Sequence, residues 1–186
     1  AKSVNLDSNL ILLGEMGIGN STISSALAAS VFGGRVERWV GAGTGSDQEG
    51  QAHKTAVIEL GIKKHGSRKD LSALQAFGGR EQAAICGAIL AARKASIPVL
   101  LDGFICTAAA APLFGTSKGS LDHCLFGHLS AEPGHSLLLK AMGKAAILDL
   151  NMRLGEGTGA ALALSILKGA IACHNNMATF ESAGIS

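Results

Sequence analysis

The sequence predicts an α/β fold in which a mainly parallel sheet is covered by helices on both faces. Three observations point there. Strand-like segments alternate with helical ones along the chain. The strand-like segments are unbroken apolar runs, such as Ile11-Leu12-Leu13 and Pro98-Val99-Leu100-Leu101, where a strand with one wet face would alternate apolar and polar residues. Glycine-rich loops follow several of these runs directly, at the strand ends where open α/β sheets bind ligands.

Asn9 to Leu13 reads as a buried strand ending at Gly14. Asn20-Ser21-Thr22 offers capping side chains for a helix that runs to about Phe32, where Gly33-Gly34 stops it. Val36 to Val40 reads as a second strand, followed by the glycine loop Gly41-Ala42-Gly43-Thr44-Gly45. Asp47 stands where it can cap a helix running to about Lys64. Asp70 to Phe77 reads as a short helix, and Gly78-Gly79 precedes a longer one, Glu81 to Lys94. Pro98 to Leu101 is a strand that ends at Asp102-Gly103, and an alanine-rich helix begins near Ile105. Cys124 to Phe126 is strand-like. Glu132 to Met142 is helical, with Pro133 in the first turn, where a missing N–H does no harm. Ala145 to Leu150 fits either a helix end or a strand, and the last helix covers about Gly159 to Met177.

Composition narrows the function. The chain has 186 residues, 47% of them hydrophobic and 16% charged, so it has apolar area enough to order a core; we expect one α/β domain over residues 1–186. No run of about 18 residues stays apolar without a polar break, and Ala160 to Cys173 is both too short and interrupted by Lys168, so no membrane span is expected. No signal peptide is read at Ala1. Cys86, Cys106, Cys124 and Cys173 form no C-x-x-C pair and read as reduced core residues of a cytoplasmic protein; neither they nor the histidines have metal-ligand spacing. A formal charge of +2 and 4% aromatic residues argue against a nucleic-acid partner.

The chemistry concentrates in two loops. Arg153-Leu154-Gly155-Glu156-Gly157-Thr158-Gly159 sets one carboxylate among glycines just before the last helix. Glycine lets a backbone press close to a ligand, and the helix start favours an anion. Glu156 is then either a first-turn acid of the helix or a catalytic base beside a bound anion. Gly14-Glu15-Met16-Gly17-Ile18-Gly19-Asn20 repeats the design, and the pair points to a phosphate-bearing substrate under a carboxylate. Gly14 to Ser21 spells G-x-x-x-x-G-N-S, with Asn20 where a nucleoside-triphosphate loop needs lysine; what remains is a tight turn capped by Asn20 or a cradle for a single phosphate. Gly41 to Gly45 fits a dinucleotide turn but lacks the acid about 20 residues on. Lys54 can reach a phosphate or serve as a solvated helix charge. Asp102 can hold ribose hydroxyls or cap the next helix. In His128-Leu129-Ser130-Ala131-Glu132-Pro133, Ser130 reads as a helix cap and His128 as a pocket or core residue, because no G-x-S-x-G elbow supports a hydrolase triad.

Taken together, the Gly14–Asn20 loop, Leu101-Asp102-Gly103-Phe104, His128 to Glu132, the Arg153–Gly159 loop and Asn175-Asn176-Met177, in that order, resemble the nicotinate-nucleotide–dimethylbenzimidazole phosphoribosyltransferase family over nearly the whole chain. The resemblance implies a Rossmann-like three-layer α/β/α fold, in agreement with the reading above. It also implies a reaction: a benzimidazole nitrogen displaces nicotinate from nicotinate mononucleotide with inversion, giving α-ribazole phosphate. By the same resemblance Glu156 would take the benzimidazole proton and Glu15 would assist as a second carboxylate. Met16, Leu154 and Gly155 would line the base and phosphate region, and Gly17, Lys54, Asp102 and Gly103 would hold the phosphoribosyl part. No metal or cofactor is implied, and the family's homodimers imply a dimer here.

Family members are about twice as long, and this chain begins just before the first acid loop. A half-sheet would expose a long apolar edge strand, so the expectation is self-association or a partner that supplies the other half. A binding module that keeps the glycine loops without turnover is the competing reading. The presence of both Glu15 and Glu156 favours transfer, since a pure binder has no need of two acids beside an anion.

Overall fold

The computed structural model describes residues 8–43 and 45–185. Among them, β1 (Ile11–Leu13), β2 (Val99–Leu101), β3 (Cys124–Ser130) and β4 (Ala146–Met152) form a parallel sheet in the order β1-β2-β3-β4. The register shows why β1 and β2 are apolar throughout. Leu13, Leu101, Phe126 and Ala146 stand side by side and face one helical layer, while Leu12 and Leu100 face the other.

The first layer holds α1 (Asn20–Phe32), α4 (Arg80–Lys94), α5 (Phe104–Thr116) and α6 (Pro133–Met142). At its centre, α5 buries Ala108 to Ala111 in one run, because small side chains let α1, α4 and α6 approach it from several sides. Outside this layer lie α2 (Gln48–His65) and α3 (Ser72–Phe77). The opposite sheet face is covered by α7 (Thr158–Asn176), whose Ala160 and Ala163 pack against Leu100. The three-layer α/β/α expectation holds, with α7 as the second layer among the described residues.

Several elements differ from the sequence reading. Val36 to Val40 is no strand: Val36–Arg38 is a 3-10 turn. Its buried residues Val36, Trp39 and Val40 lie at helical spacing, and Trp39 Nε1 donates to the Gly33 carbonyl at 2.9 Å. Asn20 does not cap α1; the cap position is Gly19, and Asn20 turns its side chain to Glu15. Asp47 does cap α2, accepting from the Gly50 N–H at 2.8 Å. The ambiguous Ala145–Leu150 segment is strand β4, and β3 continues to Ser130 with an irregularity between His128 and Ser130. Neither edge is a long apolar strand: β1 has three residues, and β4 carries Asp149 and Asn151 in its exposed half. Cys86, Cys106 and Cys124 are core residues as expected, but Cys173 is exposed on α7. No helix among the described residues is long and apolar enough to cross a membrane.

Candidate active site

Parallel strands deliver their C-terminal loops to one edge, and here those loops enclose a cleft of about 310 Å³. Glu15, Met16 and Gly17 come from the loop after β1, and Asp102 and Gly103 from the end of β2. Leu154, Gly155 and Glu156 come from the loop after β4. Lys54 lies apart, in an adjoining polar hollow with Ser21 and Thr22 at the start of α1 and Ser46 before α2.

The two acid loops touch through their glycines. A Cβ on Gly14 would stand 2.6 Å from Gly157 Cα and 2.9 Å from the Glu156 carbonyl carbon, so only glycine lets these backbones meet. Gly155, Glu156 and Gly157 take positive φ in series (80°, 58° and 82°). For Glu156 that conformation costs about 1 kcal/mol or more, and such strain persists where the surrounding structure imposes it.

Glu156 is exposed at the cleft, whereas Glu15 is half-buried and accepts a hydrogen bond from the Asn20 side-chain amide. Burial pushes the Glu15 carboxyl above the ordinary carboxylate range; the Asn20 bond opposes this, and the negative charges of Glu81, Asp102 and Glu156 add to the rise. Met16 and Leu154 flank these acids with 77% and 61% of their surface exposed, an apolar rim beside paired carboxylates.

Asp102 is buried beneath the cleft. Its Oδ2 accepts from the Gly157 N–H at 3.1 Å and its Oδ1 from the Ala160 N–H at 2.9 Å. Of its two sequence readings the cap is the one seen, although the helix it caps is α7 and not the adjacent α5. The anion that the start of α7 attracts is therefore this side chain. Burial would raise its carboxyl, but the His128 ring and the two N–H groups outweigh that and hold it below the ordinary aspartate value. His128, also buried, places Nδ1 3.4 Å from Asp102 Oδ1. Behind it, His135 accepts from the Ser130 N–H through Nδ1 at 2.8 Å, so its proton sits on Nε2, 3.0 Å from Thr107 Oγ1. Burial pushes the His135 pKa down to about 3, and the ring is neutral.

Two cations tie the glycine loop before α2 to the site. Lys54 Nζ donates to Ser21 Oγ and to the Gly41 carbonyl, both at 3.3 Å, and Arg153 donates to the Gly43 carbonyl at 2.8 Å. Thr44 of that loop lies outside the described residues. Arg153, Ser21, Ser130 and Glu132 also line the cleft without having been singled out as site residues. All four stand in motifs the sequence displays, Arg153 and Ser21 in the loop motifs and Ser130 and Glu132 in the His128–Pro133 segment.

A family model described as Phosphoribosyltransferase (DBI_PRT) matches residues 1–185. The chain is 54% identical over 186 residues to the nicotinate-nucleotide–dimethylbenzimidazole phosphoribosyltransferase of Rhodobacter capsulatus, matching 100% of this chain and 56% of that protein. It is 56% identical over 180 residues to the enzyme of that name from Brucella anthropi, covering 96% of this chain and 53% of the relative. A crystal structure of CobT from Thermus thermophilus superposes with a TM-score of 0.90 at 41% identity, over 97% of this chain and 54% of that one. The chain spans about half the length of the curated relatives it matches.

Proposed function

We propose a function from one premise: the chain belongs to the phosphoribosyltransferase family. In this reading, residues 1–186 form one α/β unit of a longer fold that moves phosphoribose from nicotinate mononucleotide to dimethylbenzimidazole. The observation that carries it is the meeting of Glu15 and Glu156 in one cleft, beside the cationic hollow at Lys54. A bond forms between a benzimidazole nitrogen and the anomeric carbon. The bond from that carbon to nicotinate breaks, and its electron pair leaves with the nicotinate ring. The incoming base becomes cationic as it bonds, and Glu156 takes its N–H proton, giving α-ribazole phosphate. A carboxylate at that point stabilises the developing charge even before the proton moves. Glu15 adds negative charge beside it. Met16 and Leu154 supply apolar surface for the flat base, Gly155 leaves the cleft open beside Glu15, and the backbones of Gly17 and Gly103 face the phosphoribosyl group. Lys54, Ser21 and the start of α1 hold the phosphate.

The remaining half of the fold, or a second copy, is the proposed partner. On the outer face of α7, Leu162 and Ile166 are about half exposed, an apolar surface suited to such a contact. The proposed setting is the cytoplasm, where the buried thiols of Cys86, Cys106 and Cys124 stay reduced. The test is incubation with nicotinate mononucleotide and dimethylbenzimidazole, for the chain alone and mixed with the other half of a full-length relative. Release of nicotinate with formation of the α-configured product is the expected result. Binding of the nucleotide without release in either mixture would favour the binding-module reading instead.

A further inference from the structure

Asp102 sits where a substrate ligand is expected, yet its carboxylate is engaged with the protein. Both oxygens accept backbone N–H groups, from Gly157 and Ala160, and the residue is 2% exposed. Its own backbone is pinned on two sides: its N–H donates to the Leu13 carbonyl at 3.0 Å, and its carbonyl accepts from the His128 N–H at 3.2 Å. One residue at the end of β2 thus ties together β1, β3 and the start of α7.

We propose that Asp102 is a positioning residue which holds Glu156 over the cleft through the Gly157 and Ala160 amides, and does not itself bind the phosphoribosyl group. This deepens the transferase reading and rests on it. Four features support it. The bonds are charge-assisted and use two of the amides that a helix start leaves without intrahelical partners. The residue just before the first of them, Glu156, holds a left-handed backbone conformation that a free loop would abandon. The third is the His128 ring, 1% exposed and packed against the backbone of Gly103 and Gly159, which closes the space into which the carboxylate could swing. Finally, Gly14 lies against Gly157 on the far side, so the peptide after Glu156 is held from both directions.

The first test needs no variant. Amide exchange followed by NMR on the unmutated chain should show the Gly157 and Ala160 amides protected at least ~100-fold, like helix-interior amides. Unprotected amides there would overturn the proposal, whatever any variant does. The second test is Asp102→Asn, which keeps the shape but offers one acceptor oxygen in place of two. Exchange of residues 155–160 should accelerate about tenfold or more, while core amides of α4 and α5 stay unchanged. Misplacing the base by about 1 Å should lower kcat about 100-fold, with active sites counted by nucleotide titration. KM for nicotinate mononucleotide should move by less than about threefold, and Asp102→Glu should recover part of kcat. A KM raised more than about tenfold at retained kcat would make Asp102 a substrate ligand and sink the idea. If the unmutated protein binds no nucleotide and turns nothing over, both alone and mixed with the other half of a full-length relative, the transferase reading fails, and the exchange data still decide whether the clamp exists.

Discussion

Replacing Gly14 with alanine tests the junction on which the cleft depends. The new methyl would stand 2.6 Å from Gly157 Cα and 2.9 Å from the Glu156 carbonyl carbon. Both are backbone atoms, so no side-chain rotation relieves the overlap, and the two loops must part by a good fraction of an ångström. Overpacking of this kind costs about 1–3 kcal/mol, and immovable backbone on both sides puts Gly14→Ala near the top of that range. The displaced atoms belong to the peptide that donates to Asp102 at 3.1 Å, so weakening a bond to a charged acceptor adds roughly 1 kcal/mol. Gly14 has no positive φ, so alanine adds no backbone strain, and the stiffer unfolded chain returns about 0.5 kcal/mol. The net expectation is a loss of about 3 kcal/mol, read from paired urea titrations with an unchanged m value. Gly157 amide protection should fall in the same variant. A loss below about 1 kcal/mol with Gly157 still protected would show that the loops are not locked at this point.

Three other perturbations have defined outcomes. The folded state holds His135 neutral to about pH 3, while the unfolded chain takes up a proton below 6.5. Stability therefore falls as pH drops from 6.5 toward 3, by up to about 1.4 kcal/mol per unit from this residue; imidazole NMR should show no His135 titration between pH 8 and 5, and a midpoint near 6 would contradict the buried assignment. The folded-state pKa of Glu15 lies above its ordinary value, so its charge disfavours folding once pH exceeds that range. Glu15→Gln should thus be more stable than the parent at pH 7, with the difference gone below pH 4.5 in paired denaturation curves. Lys54→Ala should weaken nicotinate mononucleotide binding about tenfold or more by calorimetry while leaving kcat within about threefold, and unchanged affinity would remove Lys54 from the phosphate site.

What the sequence revealed and what it hid divide along local and non-local lines. Apolar runs at Ile11–Leu13 and Val99–Leu101 marked the parallel strands, because burial on both faces leaves no alternation. The cap at Asp47 was legible because its partner is three residues away. Val36 to Val40 misled because an apolar pentad between glycines resembles a strand, although Val36, Trp39 and Val40 already had helical spacing. The role of Asn20 was missed because its partner, Glu15, competes with the capping position. The contacts that build the site were invisible for a different reason. Gly14 meets Gly157, and Asp102 reaches Ala160, across more than fifty residues of chain, which no local pattern records. The one-sided burial of α7 was hidden too, since apolar residues lie on every side of Ala160 to Cys173 and only Ser165 and Lys168 break them, so nothing local sets Cys173 apart from a core residue.

The most direct measurement is the single-turnover rate of nicotinate release from nicotinate mononucleotide and dimethylbenzimidazole, comparing the parent protein with Glu156→Gln. Removing a general base should lower that rate by about 10²–10⁴-fold, while nucleotide affinity stays within about threefold, since Lys54 and Ser21 are untouched. A Glu156→Gln variant that releases nicotinate at the parent rate would show that Glu156 is not the base, and that the left-handed loop presenting it serves another purpose.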